Sequence, residues 1–207
     1  MELIKKYFPE LTDRQIYIFR KLFTSYKYWN EKINVISRKD FSNFYKHHVL
    51  HSLAIAKFIK FKKNTRILDV GTGGGFPGIP LAIMFPECEF LLIDSIKKKL
   101  KVIESIKDEF DLQNISTMQV RVEQYKGKHD FIVSRAVQKF PVFVDWVADK
   151  IDEHSNNSIP NGIIYLKGGN IYNETALFAD RLKIIDVNRF FSEDFFETKK
   201  ILYLPIQ

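Results

Sequence analysis

The chain has 207 residues, 45% apolar and 28% charged, which excludes a disordered or fibrous protein and suits one large domain or one domain with an appendage. Its single cysteine, Cys88, rules out an internal disulfide framework, a cysteine-based zinc site and a dithiol redox pair. The net charge of +7 is uneven: residues 1–66 carry 15 basic and 5 acidic side chains, a net of +10, and the remainder nets −3.

A basic segment beside a nearly neutral body is the footprint of a polyanion-binding surface, or of a lysine-rich solvated helix face. No apolar stretch reaches the about 18 residues of a membrane span. The start, Met1-Glu2-Leu3-Ile4-Lys5-Lys6, lacks the apolar core and cleavage site of a signal peptide, so a cytoplasmic location is expected.

In chain order, the first 60 residues read as helices. Thr12 to Gln15 fits a capping box, and Ile16, Phe19, Phe23 and Tyr26 follow at helical spacing. A second helix is predicted from near Asp40 to Ile59, with Phe44, Leu50, Leu53, Ala54 and Phe58 facing inward, and Asn64-Thr65 breaks it. From Arg66 the texture alternates. Strands are predicted at 66–70, 90–93, 115–121, 131–134 and 163–167. Helices are predicted after the glycine cluster to Phe85, at 95–110 with Ile96, Leu100, Ile103 and Ile106 on one face, near 139–150 and near 172–182. Two final strands, about 184–191 and 201–204, predict an antiparallel hairpin edge with a short turn. The fold class is therefore α/β, a Rossmann-like doubly wound sheet over residues 65–207, with a basic helical extension at 1–64 packed on it.

The strongest signal is Asp69-Val70-Gly71-Thr72-Gly73-Gly74-Gly75-Phe76-Pro77-Gly78, directly after the first strand and opening a helix. Glycines there permit positive φ and close ligand approach. Asp94, at the end of the second strand, is placed for ribose hydroxyls. A dinucleotide fingerprint needs glycine where Phe76 stands, and Asp69 would face a pyrophosphate unfavourably. S-adenosylmethionine, with a sulfonium and an ammonium and no phosphate, suits a nearby carboxylate better, so the turn favours a methyl donor over NAD.

The same run resembles the signature of the RsmG/GidB family of bacterial small-subunit ribosomal RNA guanine-N7 methyltransferases. Tyr28-Trp29-Asn30-Glu31-Lys32-Ile33-Asn34-Val35-Ile36-Ser37 is similar to its W-N-x-x-x-N-L-T-S segment, and His48-Val49-Leu50-His51-Ser52 to H-I-L-D-S, with His51 in place of the acid. Ile93-Asp94-Ser95, Arg121-Val122-Glu123, Ser134-Arg135-Ala136 and Leu166-Lys167-Gly168 follow in family order, so the resemblance spans residues 28–168. It implies cofactor contacts at Gly71, Phe76, Val122, Glu123 and Arg135, to which the residue reading adds Gly73 and Asp94. Glu123 is placed for the adenine amino group and Phe76 for a pocket wall. Arg135 faces the methionine carboxylate, an RNA phosphate or the guanine edge. Arg135, Lys167, Arg38 and His48 are the candidate substrate contacts.

Methylation of guanine N7 removes no proton, so no general base is expected. Cys88 reads as a packing residue, which excludes cytosine-C5 chemistry, and Ser134-Arg135-Ala136-Val137 lacks the Asn/Asp-Pro-Pro-aromatic run of adenine-N6 chemistry. His47, His48 and His51 cannot all converge on a metal from a regular helix, so none is expected. The expected partner is small-subunit ribosomal RNA or an assembling subunit, met through Lys5, Lys6, Arg14, Arg20, Lys21, Lys27, Arg38, Lys39 and Lys46, with the protein a monomer. The competing readings are a small-molecule methyltransferase of the same fold and a non-catalytic RNA-binding protein.

Overall fold

Seven strands form one sheet in the computed structural model, which describes residues 1–206. They are β1 (Arg66–Val70), β2 (Glu89–Asp94), β3 (Ile115–Gln119), β4 (Phe131–Arg135), β5 (Gly162–Gly168), β6 (Lys183–Asp186) and β7 (Lys199–Pro205). Their order across the sheet is β3-β2-β1-β4-β5-β7-β6. The first five run parallel, and β7 lies antiparallel to both β5 and β6. The strand order reverses between β1 and β4, and that reversal opens a crevice at the carboxyl ends of the strands.

The helices are α1 (Glu2–Tyr7), α2 (Asp13–Lys32), α3 (His51–Phe58), α4 (Gly78–Met84), α5 (Lys97–Phe110), α6 (Phe140–Val147) and α7 (Tyr172–Thr175). Because successive strand residues point to opposite faces, the core divides in two. Ile67, Leu92, Val133 and Ile164 meet Ile4, Phe19, Leu53, Ile79 and Ile103 from α1 to α5. On the other face Leu68, Ile132, Ile163 and Tyr165 meet Phe143, Val144 and Val147 of α6. Burying both faces accounts for the near-continuous apolar runs of β1, β4 and β5.

The N-terminal helices share the first of these cores. Thr12 caps α2 as its sequence predicts: the Thr12 hydroxyl accepts from the Gln15 amide, and the Gln15 side chain accepts from the Thr12 amide at 2.9 Å. Gln15 then donates to the Ile83 carbonyl of α4, 3.0 Å away, and Arg14 to the Phe110 carbonyl of α5, 3.1 Å away.

Several boundaries depart from the sequence reading. Residues 40–59 are not one helix but a 3-10 turn (Phe41–Asn43), a π-helical segment (Phe44–Leu50) and then α3. The wide segment buries Phe44, Val49 and Leu50 while keeping His47 and His48 on one carboxylate, a demand local periodicity does not announce. Helix α5 starts at Lys97, and Ile96 is exposed at its cap instead of joining the buried face. Strand β3 ends at Gln119, which frees Val122 and Glu123 to form a 3-10 turn. The helix predicted at 172–182 is only α7 followed by a 3-10 turn at Ala176–Phe178. Strand β6 stops at Asp186: Val187 and Phe191 are buried from a turn, so their apolar character imitated strand. The connection to β7 is accordingly a folded stretch over 187–198, not a short turn.

Candidate active site

The loop after β1 needs its glycines where the backbone turns left-handed: Gly71, Gly73 and Gly75 have φ of 65°, 60° and 94°. It is anchored from below by Asp69. This carboxylate is fully buried, and its Oδ2 accepts from the Thr72 hydroxyl at 2.6 Å and the Gly78 amide at 2.8 Å, while Oδ1 has no partner among the described residues. Burial pushes its pKa up to about 7. The sequence reading gave Asp69 a direct electrostatic role toward a cationic ligand; the structure makes it the bolt between β1 and the start of α4. From above, Tyr26 of α2 donates to the Gly74 carbonyl at 2.5 Å. The Trp29-Asn30 motif acts through Asn30, whose Oδ1 accepts from the Val35 and Ile36 amides at 2.9 and 2.8 Å. That turn seats Val35 so close to Gly74 that a Cβ there would lie 2.9 Å away.

A cavity of about 410 Å³ opens at the carboxyl ends of β1 to β4, and Gly71, Asp94, Val122, Glu123 and Arg135 all line it. Asp94 is buried at the end of β2; its Oδ2 accepts from the Gly73 amide at 3.0 Å and its Oδ1 from the Ile96 amide at 2.9 Å, with Lys99 3.7 Å off. It therefore locks the glycine loop to the start of α5 while lining the cavity. Ile96, Val120 and Val122 supply apolar wall, and Glu123 is exposed at the rim. This combination suits S-adenosylmethionine: an apolar slot for a flat base, carboxylates for hydroxyls and an exocyclic amine, and a cation for a carboxylate.

The cation is Arg135, at the end of β4. Its guanidinium donates to the His47 carbonyl and to His48 Nδ1, each 3.2 Å away, and lies 5.2 Å from the Phe76 ring centre. Among the described residues it makes no ion pair, and burial lowers its pKa to about 10. A half-buried guanidinium that pairs with no carboxylate among the described residues is available to an anionic ligand. Phe76 itself is buried against Tyr26 and Phe44 and supports Arg135 from beneath; it does not line the cavity.

The remaining substrate candidates lie in different settings. Lys167 is tied to Glu174 at 2.8 Å and to the Gln138 carbonyl at 3.3 Å. His48 bonds Asp40 Oδ2 at 2.9 Å, and burial with the nearby Arg135 lowers its pKa to about 4. Arg38 is exposed and borders a second cavity, about 420 Å³, with Lys27, Asn30 and Phe41. Of the basic extension, Arg20, Lys21, Lys27 and Lys39 are likewise exposed, whereas Lys6 pairs with Glu193. His51 is buried against Phe195 and Phe196, and Cys88 is buried with its thiol raised to about 11.

The sequence reading missed Ala136, Val137, Lys99 and Trp146, which also line the cavity. Ala136 holds φ of 50°, sparsely populated for a residue with a Cβ, at the end of a sheet strand. Its place directly after Arg135 was the available signal.

Comparison with known proteins places the chain in a family and its fold in a class. A family model described as rRNA small subunit methyltransferase G (GidB) matches residues 15–192. The chain is 53% identical over 207 residues to "Ribosomal RNA small subunit methyltransferase G" of Flavobacterium psychrophilum, covering 100% of this chain and 99% of that one. The protein of the same name from Phocaeicola vulgatus is 50% identical over 206 residues, covering 100% and 99%. Among solved structures, a SAM-dependent O-methyltransferase from Thermotoga maritima superposes with a TM-score of 0.60 at 14% identity, over 81% of this chain and 70% of that one. A fibrillarin/NOP5P complex gives 0.55 at 12% identity, over 74% and 79%. These distant structures show the fold alone, that of S-adenosylmethionine-dependent methyltransferases.

Proposed function

This chain belongs to the rRNA small subunit methyltransferase G family, and we propose that it carries the methyl group of S-adenosylmethionine to N7 of one guanosine in small-subunit ribosomal RNA. The observation that carries the reading is the cavity at the strand ends, where the glycine loop, Asp94, Glu123 and the unpaired Arg135 face one space.

In this reading Gly71 and Gly73 admit the cofactor against bare backbone, Val122 lies against its adenine, Glu123 takes the adenine amino group and Asp94 takes the ribose hydroxyls. Phe76 acts by supporting Arg135. The cofactor supplies an electrophilic methyl group on its sulfonium, and guanine N7 presents a lone pair with no proton to remove. The chain's contribution is thus to hold the two reactants in line and exclude water, and positioning alone is worth several orders of magnitude. Arg135, at the mouth, neutralises either the methionine carboxylate or an RNA phosphate.

The RNA lies across the exposed cations of the extension, with Arg38 and Lys27 at its cavity. Lys167 contributes only if Glu174 releases it. Residues 1–64 form the extension packed on the catalytic body of 65–207, and the chain works as a monomer in the cytoplasm on naked RNA or an assembling subunit. No helix among the described residues is long and apolar enough to cross a membrane.

The test is transfer of labelled methyl from S-adenosylmethionine to small-subunit RNA and to partly assembled subunits. Label in RNA supports the reading. Measurable cofactor binding with label in neither RNA shifts it to a small-molecule acceptor.

A further inference from the structure

Arg135 is held by a chain of hydrogen bonds that begins outside the cavity. Asp40 lies in the turn before the π-helical segment, where its amide donates to the Ser37 carbonyl at 2.9 Å. Its two oxygens take two consecutive histidines: Oδ1 accepts from His47 Nδ1 at 2.5 Å and Oδ2 from His48 Nε2 at 2.9 Å. The π turn over Phe44–Leu50 presents both side chains to one carboxylate, and such turns recur at functional sites. His47 is further fixed by stacking on Phe195, ring centres 3.7 Å apart.

The protonation pattern follows from the partners. A guanidinium only donates, so the 3.2 Å contact from Arg135 requires a bare Nδ1 on His48. The His48 proton is then on Nε2, where Asp40 accepts it. We propose that Asp40 is a positioning residue for methyl transfer: by holding the Nε2 proton of His48 it keeps Nδ1 an acceptor, and this fixes the Arg135 guanidinium at the mouth of the cofactor cavity. The proposal rests on the methyltransferase reading for its effect on activity, and on geometry alone for the histidine tautomer.

Asp40→Asn is the discriminating variant. Its amide can donate to His48 Nε2, which moves the histidine proton to Nδ1 and sets two donors against each other at Arg135. Nitrogen-15 spectra of the His48 ring read the tautomer directly. The expected result is an Nε2–H tautomer in the wild type that is lost in Asp40→Asn. With it, kcat/KM for methyl transfer to small-subunit RNA falls about 10-fold or more, the scale seen where the hydrogen-bond partner that orients a metal-binding histidine is removed. Thermal unfolding measured in parallel separates this from a folding defect. Asp40→Asn added to Arg135→Ala adds nothing further, because both act through one guanidinium. Asp40→Glu, which restores the acceptor, recovers part of the loss.

Full additivity of the two substitutions, or His48 keeping its Nε2 proton in Asp40→Asn, overturns the proposal. If the wild type labels no RNA, the function reading fails. The tautomer, with the affinity for S-adenosylmethionine in wild type and Asp40→Asn, then decides the positioning role by itself.

Discussion

Removing one oxygen atom from Tyr26 tests how far the N-terminal helices take part in the cofactor site. Tyr26 is fully buried, its hydroxyl 2.5 Å from the Gly74 carbonyl and its ring centre 5.0 Å from that of Phe76. Burial raises its phenol well above the usual value of 10, so it remains a donor at any assay pH. In Tyr26→Phe the ring packing survives and the buried Gly74 carbonyl loses its partner. The expected cost is about 1–3 kcal/mol of unfolding free energy, the desolvation penalty of an unsatisfied buried group. For a chain of this length each kcal/mol lowers Tm by roughly 2–4 °C. Urea unfolding measures the cost, and titration calorimetry with S-adenosylmethionine is expected to show weaker binding, because the loop loses its upper support. Tyr45→Phe is the control: Tyr45 donates to the Phe19 and Arg20 carbonyls at 2.9 and 3.1 Å, away from the loop. It is expected to leave cofactor affinity unchanged. A Tyr26→Phe protein within about 0.5 kcal/mol of wild type, the usual scatter of surface substitutions, and with unaltered affinity, would refute the reasoning.

Gly71→Ala is expected to weaken cofactor binding about tenfold or more in the same calorimetric assay. A left-handed φ of 65° costs a Cβ-bearing residue about 1–2 kcal/mol, and the new Cβ would stand 2.6 Å from Val137 Cγ2. Unchanged binding would show that the loop tolerates displacement. Stability is expected to fall as pH drops from about 6.5 toward 4. Burial, aided by Arg135, holds His48 at about 4 and His51 well below its usual value, and burial with Arg66 holds His129 at about 4. The unfolded chain takes those protons near 6.5 and the folded chain does not, which costs up to about 1.4 kcal/mol per pH unit for each. Asp69 acts oppositely: folded it keeps a proton up to about 7, so its share falls as pH rises from about 4 to 7. Three groups outweigh one; a flat or rising stability between pH 6.5 and 5 in guanidinium titrations would contradict this balance. RNA affinity is expected to fall linearly with log salt, with a shallower slope for Arg38→Ala, as removal of one phosphate contact requires. Equal slopes in filter binding would take Arg38 off the RNA surface.

What the sequence made legible was whatever depends on local pattern. The strand–glycine–helix unit, the capping box at Thr12 and the alternating β/α order all follow from residue spacing over a few turns, and they placed Gly71, Asp94 and Glu123 at one end of the sheet. Properties decided by tertiary burial escaped. Asp69 looks like a ligand-facing acid until the loop folds over it and Thr72 and Gly78 claim its oxygen. Phe76 looks like a pocket wall until Tyr26 and Phe44 enclose it. The π turn at 44–50 coincides with the meeting of Asp40, His47 and His48, which no helical periodicity encodes. At the carboxyl end, Val187 and Phe191 reach the core from turns, so an apolar run read as strand. Lys167 read as a candidate substrate contact, although Glu174, seven positions on, closes on it across the turn after β5.

Chemical cleavage specific for N7-methylguanine, applied to small-subunit RNA after incubation with this chain and S-adenosylmethionine, tests the central claim most directly. The account predicts scission at a single guanosine that depends on the cofactor and is lost with Arg135→Ala. Methyl label incorporated without any such scission would place the chemistry on another atom and contradict it.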